Sequence, residues 1–217
     1  DDHGRDDWNN SKDNGRKENV IGVDWTDKRV YSNVEEMEAL DMENIENILI
    51  SNIKPKEKRK RIVNIVIDGT VRVEDFMSYF IITSDVNKGT CADAMKHIAM
   101  DRPDILFPYI DLLIEYIDYN APRVKWGIQE TIGNLAERYP EEVAKAIPKL
   151  LKNAEKNHKN TTVVRWCAAY GLVEILINNK KIQKDLLPKI QEIIDSENNK
   201  GVKNVYLTAL KRIERTM

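Results

Sequence analysis

The chain has few of the residues that interrupt or cross-link a fold. It contains two cysteines, nine glycines and seven prolines in 217 residues. No apolar run approaches the ~18–20 residues that a membrane-spanning helix needs. Cys91 and Cys167 lie in apolar helical patterns, with no CxxC pair and no neighbouring histidine. We therefore expect buried free thiols and a reducing compartment, the cytoplasm.

Motifs that would indicate an enzyme or a metal protein are also missing. The sequence holds no P-loop, GxGxxG, GxSxG or HExxH pattern. His3, His97 and His158 are far apart, and none has a partner histidine one helical turn away. The acidic stretch DDWNNSKDNG fails the calcium-loop pattern, because Lys12 stands where an oxygen ligand is required. We therefore expect no catalytic residue, no metal and no cofactor.

Charge is nearly balanced in total but not along the chain. Residues 121–217 carry 18 Lys/Arg and 11 Asp/Glu, whereas residues 1–120 carry 16 and 25. The basic second half favours an acidic partner. The densest basic run, KPKEKRKR (54–61), is open to two interpretations. It is either a nucleic-acid patch or localisation signal, or one side of a solvated helix pair balanced by the six acids of 33–46.

Two regions differ in their patterning. Residues 1–32 are polar and turn-rich without a helical period, which predicts an irregular N-terminal arm. From residue 33 onward, apolar residues recur at helical spacing between short linkers. We expect one helical domain over 33–217, with no strands. The predicted helices lie within 33–50, 55–68, 73–85, 90–101, 103–118, 122–139, 140–157, 161–179, 183–197 and 201–216.

An internal repeat of about 40 residues runs through the second half. Pro108, Pro148 and Pro188 are spaced by 40 inside similar apolar frames, and Trp126 and Trp166 are spaced by 40 as well. One helix pair cannot bury its apolar face alone, so a two-helix period predicts stacked pairs that share a continuous core. Each proline marks a bend or a first turn in the second helix of its pair. The core positions that stay in register are Ile128 and Ala168, Ile132 and Leu172, and Leu135 and Ile175, followed by Ala209, Leu210 and Ile213.

The segments VRWCAAYGL and LPKIQEIID resemble the two helices of a HEAT repeat. The resemblance covers residues 88–217 and is weak over 33–87. It implies an all-α, right-handed superhelix of about four or five helix pairs. It further implies a non-catalytic scaffold for a protein or peptide, since such arrays more often bind than catalyse.

In solenoids of this type the second helices usually line the concave face, so the resemblance also suggests where a partner binds. Reading at the period of 40 gives columns of tyrosine, leucine and lysine that can hold an acidic, partly apolar segment. The candidate partner-binding residues are Tyr109, Leu112, Tyr116, Lys149, Lys152, Lys156 and Lys189.

The recurring tryptophans have two interpretations. Since they follow the repeat period, we expect Trp126 and Trp166 to cover the seam between stacked pairs. Lys125 and Arg165 would then reach a neighbouring carboxylate or a helix end. The alternative is that these four residues contact nucleic acid, as in the HEAT-like alkylpurine DNA glycosylases, for DNA binding or base repair.

Overall fold

The structure, a computed structural model, describes residues 45–157 and 160–215. The predicted N-terminal arm over 1–32, most of the first predicted helix and two of the histidines, His3 and His158, lie outside the described residues. No helix of the described chain is both long and apolar enough to cross a membrane.

The described chain is helical throughout, with residues 45–50 forming one further helical segment at its start. Short 3₁₀ turns at Phe107–Tyr109, Ala144–Ala146 and Lys180–Ile182 introduce or interrupt three of the elements. The helices are α1 (Pro55–Ile67), α2 (Val73–Ile82), α3 (Asp85–Asp101), α4 (Pro103–Leu106), α5 (Ile110–Tyr116), α6 (Pro122–Leu135), α7 (Pro140–Val143), α8 (Ile147–Ala154), α9 (Thr162–Asn178), α10 (Gln183–Ser196) and α11 (Lys200–Glu214).

The helices form two layers. Helices α1, α3, α6, α9 and α11, which we call the first helices, pack against one another in that order. The second helices, namely α2, α4 with α5, α7 with α8, and α10, form the other layer. Each of α1, α3, α6 and α9 is followed by a second helix, so the described chain is a stack of four helix pairs with α11 packed on α9. This architecture confirms the predicted all-α solenoid.

The prolines act as the sequence predicts at two of three positions. Pro108 lies in the 3₁₀ turn between α4 and α5, and Pro148 follows the 3₁₀ turn that opens α8. Each ends one short helix and starts another, because proline lacks the N–H that a continuous helix needs. Pro188 instead lies inside α10, after its 3₁₀ turn.

Several predicted helix boundaries differ from the structure, two of them by four or five residues. Helix α3 begins at Asp85, five residues before the predicted start, because Ser84 caps it through a bond from the N–H of Asn87. Gly89 therefore lies inside the helix, where it faces the Cβ of Arg123 on α6. Helix α6 ends at Leu135 instead of reaching residue 139.

One continuous core runs between the layers. The predicted register positions Ile128, Ala168, Ile132 and Leu172 are all completely buried. The next register pair, Leu135 and Ile175, is also completely buried, while Ala209 and Ile213 of α11 are nearly so. The repeat therefore exists in the structure because each pair presents the same apolar positions to the next pair.

Candidate functional site

The first helices approach one another very closely. A Cβ added to Gly127 of α6 would lie 2.5 Å from the carbonyl carbon of Ala92 on α3. On the other side of α6, a Cβ added to Gly171 of α9 would lie 3.1 Å from the carbonyl oxygen of Gln129. Because these two positions are glycines, the backbone of one helix can contact the backbone and side chains of the next helix directly. The surface built by the first helices is therefore tightly packed.

A ladder of polar contacts crosses this surface from helix to helix. Lys96 of α3 lies 3.5 Å from Glu130 of α6, and its carbonyl oxygen accepts a bond from Asn134 at 2.7 Å. The hydroxyl of Tyr170 on α9 donates to Asn134 at 2.5 Å. Further rungs join Arg59 to Asp93 at 3.3 Å and Arg212 to Glu174 at 3.4 Å.

An open groove lies at the end of this surface, between α9 and α11. Trp166 and Tyr170 stack along one wall, with ring centroids 6.0 Å apart and planes inclined by 4°. The groove has a volume of about 500 Å³. Its other wall is formed by α11 and combines apolar and small polar side chains. The remaining lining residues are Val173, Glu174, Gly201, Asn204, Val205, Thr208, Ala209 and Arg212.

Burial changes the acid–base properties of this groove. It raises the pKa of Tyr170 to about 12, with nearby Glu174 adding to the effect. Burial also raises the pKa of Glu174, although the guanidinium of Arg212 opposes the shift. The wall therefore presents a neutral phenol beside a paired carboxylate. The groove offers an aromatic platform with few charges in its floor.

Neither tryptophan is fully buried, and the expectation that both rings cover the seam between stacked pairs stays a prediction. Trp166 is 38% exposed, so its ring covers the surface of α9 without being enclosed. Trp126 is half-buried, and its indole N–H is buried without an acceptor among the described residues. Both rings therefore belong to the surface of the first helices.

Arg165 lies in the interior and reaches a neighbouring carboxylate, which is the contact that the packing interpretation expects. It is 8% exposed, and its guanidinium lies 2.7 Å from the carboxylate of Glu197, which is 2% exposed. The same guanidinium donates to the carbonyl oxygen of Asn160 at 2.8 Å. Of the four residues proposed to contact nucleic acid, this one is committed to an internal ion pair. Lys125 is half-buried.

A buried lysine occupies the equivalent position of α3. Lys88 stands 37 residues before Lys125 and is 2% exposed. Its ammonium donates to the carbonyl oxygens of Phe80 and Ile81 at the end of α2, at 2.5 and 2.7 Å. It also lies 5.6 Å from the ring centroid of Tyr116. Burial lowers the pKa of Lys88. The basic residue at this repeat position thus ties the end of a second helix to the next first helix.

The candidate residues of α5 and of the 3₁₀ turn before it lie mostly within the packing. Tyr109, Leu112 and Tyr116 are half-buried and pack against the core. Burial raises the pKa of Tyr109 to about 12. Tyr116 lies against Phe80, with ring centroids 4.7 Å apart. These three side chains therefore offer limited free surface to a partner.

The candidate lysines lie on the outer side of the second helices. Lys149 is half-buried, donates to the carbonyl oxygen of Glu115 at 3.3 Å and lies 3.8 Å from Asp118. Lys152 lies 3.9 Å from Asp118 and is largely exposed. Lys156 and Lys189 are exposed. That these residues bind a partner stays a prediction.

A basic edge runs beside the two tryptophans. The first turns of α6, α9 and α11 contain no acidic residue. Arg123 and Lys200 are exposed there, and each shares a helix face with a residue three or four positions on, Trp126 and Asn204. Because a helix N-terminus is itself partly positive, the absence of acids leaves this edge electropositive.

Other chemistry is sparse in the described residues. Both cysteines are free and buried, which confirms the sequence prediction. Burial raises the pKa of Cys91 to about 12 and raises that of Cys167 further. Within 45–157 and 160–215, no three His, Cys, Asp or Glu side chains form a group able to hold a metal ion.

Comparison with known proteins identifies the fold. No family model and no curated protein matches the chain. Among solved structures, the chain is similar to a designed armadillo repeat protein in complex with peptide (KR)4, at 17% identity and a TM-score of 0.61. The match covers 83% of this chain and 84% of that one. The chain therefore has the fold of the HEAT and armadillo α-solenoids.

Proposed function

We propose that this chain is a non-catalytic scaffold that binds a peptide segment of a partner protein along the surface of its first helices. The observation that carries the proposal is the groove between α9 and α11, with the stacked Trp166 and Tyr170 along its wall. An aromatic platform beside an open, partly apolar groove suits a side chain of an extended peptide.

The spacing of the two layers supports this surface over that of the second helices. In a curved stack, the layer whose helices lie closer together is the inner one. The first helices meet at backbone distance through Gly127 and Gly171. The second helices are instead bridged by long side chains, such as Lys145 to Asp111 at 2.9 Å. We therefore assign the concave side to the first helices, where a peptide would contact several modules at once.

The charge of the basic edge favours an acidic peptide. Arg123 and Lys200 flank the row of Trp126 and Trp166, and the three helix N-termini add to their potential. The designed armadillo repeat protein is in complex with a peptide of opposite charge, (KR)4. A shared fold does not fix the charge of the ligand, because the fold positions whatever side chains its surface carries.

Related expectations remain part of the proposal. A scaffold of this kind performs no catalysis and needs no cofactor or metal. The buried thiols fit a reducing compartment such as the cytoplasm. The chain binds its partner without a membrane.

Fluorescence anisotropy with labelled peptides tests the proposal. The acidic probe is a peptide of alternating Glu and Leu, matched in length to (KR)4. We expect the acidic probe to bind roughly tenfold more tightly than (KR)4, and the variant Arg123→Glu/Lys200→Glu to lose roughly tenfold of that affinity. Both substituted side chains are exposed, so the fold is retained.

The matched control makes the same charge change on the second helices. Lys152→Glu/Lys189→Glu should leave the affinity within about twofold. Loss of binding in this control alone would move the site to the columns of the second helices. A DNA duplex that binds more tightly than either peptide, and releases steeply with salt, would instead support the nucleic-acid interpretation.

A further inference from the structure

A second groove lies at the opposite end of the first helices, between α1 and α3. It has a volume of about 450 Å³ and is lined largely by the basic run that stands out in the sequence. Helix α1 supplies one wall and the last turns of α3 supply the other. The lining residues are Lys54, Lys56, Glu57, Arg59, Lys60, Val63, Asn64, His97 and Asp101.

Positive charge in this groove exceeds negative charge. Lys54, Lys56 and Lys60 are exposed and have no carboxylate partner among the described residues. Arg59 is half-buried and is held in place by Asp93 at 3.3 Å. Of the two lining carboxylates, Glu57 lies 3.3 Å from Arg61. Four cations therefore face two anions, which leaves the lining with a net charge of +2.

A histidine with an unused ring nitrogen lies in the same groove. His97 is half-buried, and its Nε2 atom is buried without a hydrogen-bond partner among the described residues. Burial lowers the pKa of His97, and Arg59 and Lys96 lower it further against the opposing charges of Asp93 and Asp101. The ring is therefore neutral at pH 7. A buried nitrogen without a partner is costly unless a ligand meets it.

We infer that this groove is a binding site for a phosphomonoester group. A phosphate dianion matches the net charge of the lining and offers oxygens to three lysines, Arg59 and the ring nitrogen of His97 together. The groove is larger than one phosphate, so the group that carries it also fits. This site is separate from the peptide surface proposed above and does not depend on it.

The charges around the groove argue against nucleic acid as the ligand. A DNA backbone needs a basic stripe that follows several phosphates. Here the next first helix places Asp93 and Asp101 beside the groove, and Lys96 is already paired with Glu130 and Asp93. The positive region therefore ends at α3. It is suited to one phosphate and does not extend along the stack.

Nuclear magnetic resonance of the histidine rings tests this inference on the full chain. The signal of His97 is assigned by its loss in His97→Gln. Inorganic phosphate is then added at constant ionic strength. We expect a saturable shift of the His97 signal at millimolar phosphate and an upward shift of its pKa, because the bound dianion stabilises the protonated ring. The variant Lys56→Gln/Lys60→Gln should weaken binding roughly tenfold.

Controls separate a built site from general attraction. Lys180→Gln/Lys184→Gln removes the same charge from exposed lysines near the other end of the chain and should change nothing. Equal weakening in both variants, or no shift of His97 with phosphate, would overturn the inference. DNA that shifts His97 more strongly than phosphate does would overturn it too.

The source of the phosphate is decided by comparing probes. A short peptide carrying one phosphoserine is titrated beside inorganic phosphate and beside the same peptide with serine. Tighter binding of the phosphopeptide than of inorganic phosphate identifies a modified protein as the ligand, and equal binding identifies a free phosphate. Equal binding of the serine peptide would contradict recognition of phosphate.

Discussion

Single residues at one repeat position have the same structural task in different modules. Lys88 and Arg165 are both buried and donate to backbone carbonyl oxygens that precede their own helices. The acceptors are Phe80 at the end of α2 for Lys88 and Asn160 in the loop before α9 for Arg165. In α9 the arginine gains a second partner, Glu197, whose side chain is 2% exposed. A buried ion pair is tolerated because its two charges compensate each other in good geometry. Removal of one partner leaves the other charge buried without compensation.

We expect Arg165→Ala to lower the free energy of unfolding by about 3–5 kcal/mol, because the carboxylate of Glu197 then stays buried without a cation. The double variant Arg165→Met/Glu197→Leu should recover most of this loss, since neither charge remains. Urea unfolding followed by circular dichroism measures both. A single variant as stable as the parent would contradict the structural role of the pair.

The same pair predicts a pH dependence. Burial alone would raise the pKa of Glu197, but hydrogen bonds from Arg165 and from the N–H of Asn199 hold it below its ordinary value. The folded state therefore favours the carboxylate. Its contribution is present above the pKa of the unfolded chain, about 4.3, and is lost as the pH falls through the lower folded value. We expect this acid-side loss to disappear from Arg165→Met/Glu197→Leu in urea unfolding across pH.

Trp166→Ala separates binding from packing. Had the ring been enclosed, the cost would be about 3–5 kcal/mol. Since it is 38% exposed and stacks on Tyr170, we expect a loss of only about 1–2 kcal/mol. Affinity for the acidic peptide should fall roughly tenfold. Thermal unfolding and anisotropy on one sample measure both, and a variant with normal affinity would contradict the platform role.

At the scale of helices, close contact between first helices sets the stack. Gly127 is the tightest point, where α6 meets the backbone of α3 at Ala92. Close packing of this kind tolerates no extra atom without movement of a helix. Between the second helices, contacts are made by side chains, such as Lys145 with Asp111 and Phe80 with Tyr116.

Two glycine-to-alanine substitutions compare how tightly these helix contacts are packed. Gly127→Ala places a Cβ 2.5 Å from the backbone of Ala92, so we expect a loss of about 3 kcal/mol or more despite the better helix propensity of alanine. Gly171→Ala meets its nearest atom at 3.1 Å and should cost clearly less. Urea unfolding gives the order. The opposite order would contradict the spacing of the first helices.

The sequence predicts the elements better than it predicts the surface. The spacing of Pro108 and Pro148 correctly indicates the breaks in the second helices, because proline acts locally. The polar ladder is not apparent in the local sequence pattern, because each rung joins residues about one period apart, such as Lys96 with Glu130. Opposite charges one repeat period apart are the feature of the sequence that indicates such a ladder. The exposure of Trp166 cannot be predicted from the sequence, since it depends on the distance between α9 and α11.

At the scale of the molecule, stability depends on how many neighbours a helix has. Helix α6 packs between α3 and α9, whereas α11 packs against a single first helix, α9, within the part of the chain that the structure describes. Among the described residues of α11, Leu207 is the one large apolar side chain that is exposed. The array is therefore expected to open from this end.

Native-state hydrogen exchange measures this gradient. We expect the amides of α6 to exchange more slowly than those of α11, because opening α6 separates two interfaces and opening α11 separates one. If both helices exchange at a single common free energy, the nearest-neighbour description of the stack is wrong.

The central claim is that the peptide binds along the surface of the first helices of the solenoid. A spin label on the acidic peptide tests it most directly by nuclear magnetic resonance. We predict that the indole N–H signals of Trp126 and Trp166 are broadened by the bound label, while the backbone amides of α10 keep their intensity. Broadening of α10 with both indole signals unchanged would contradict the account.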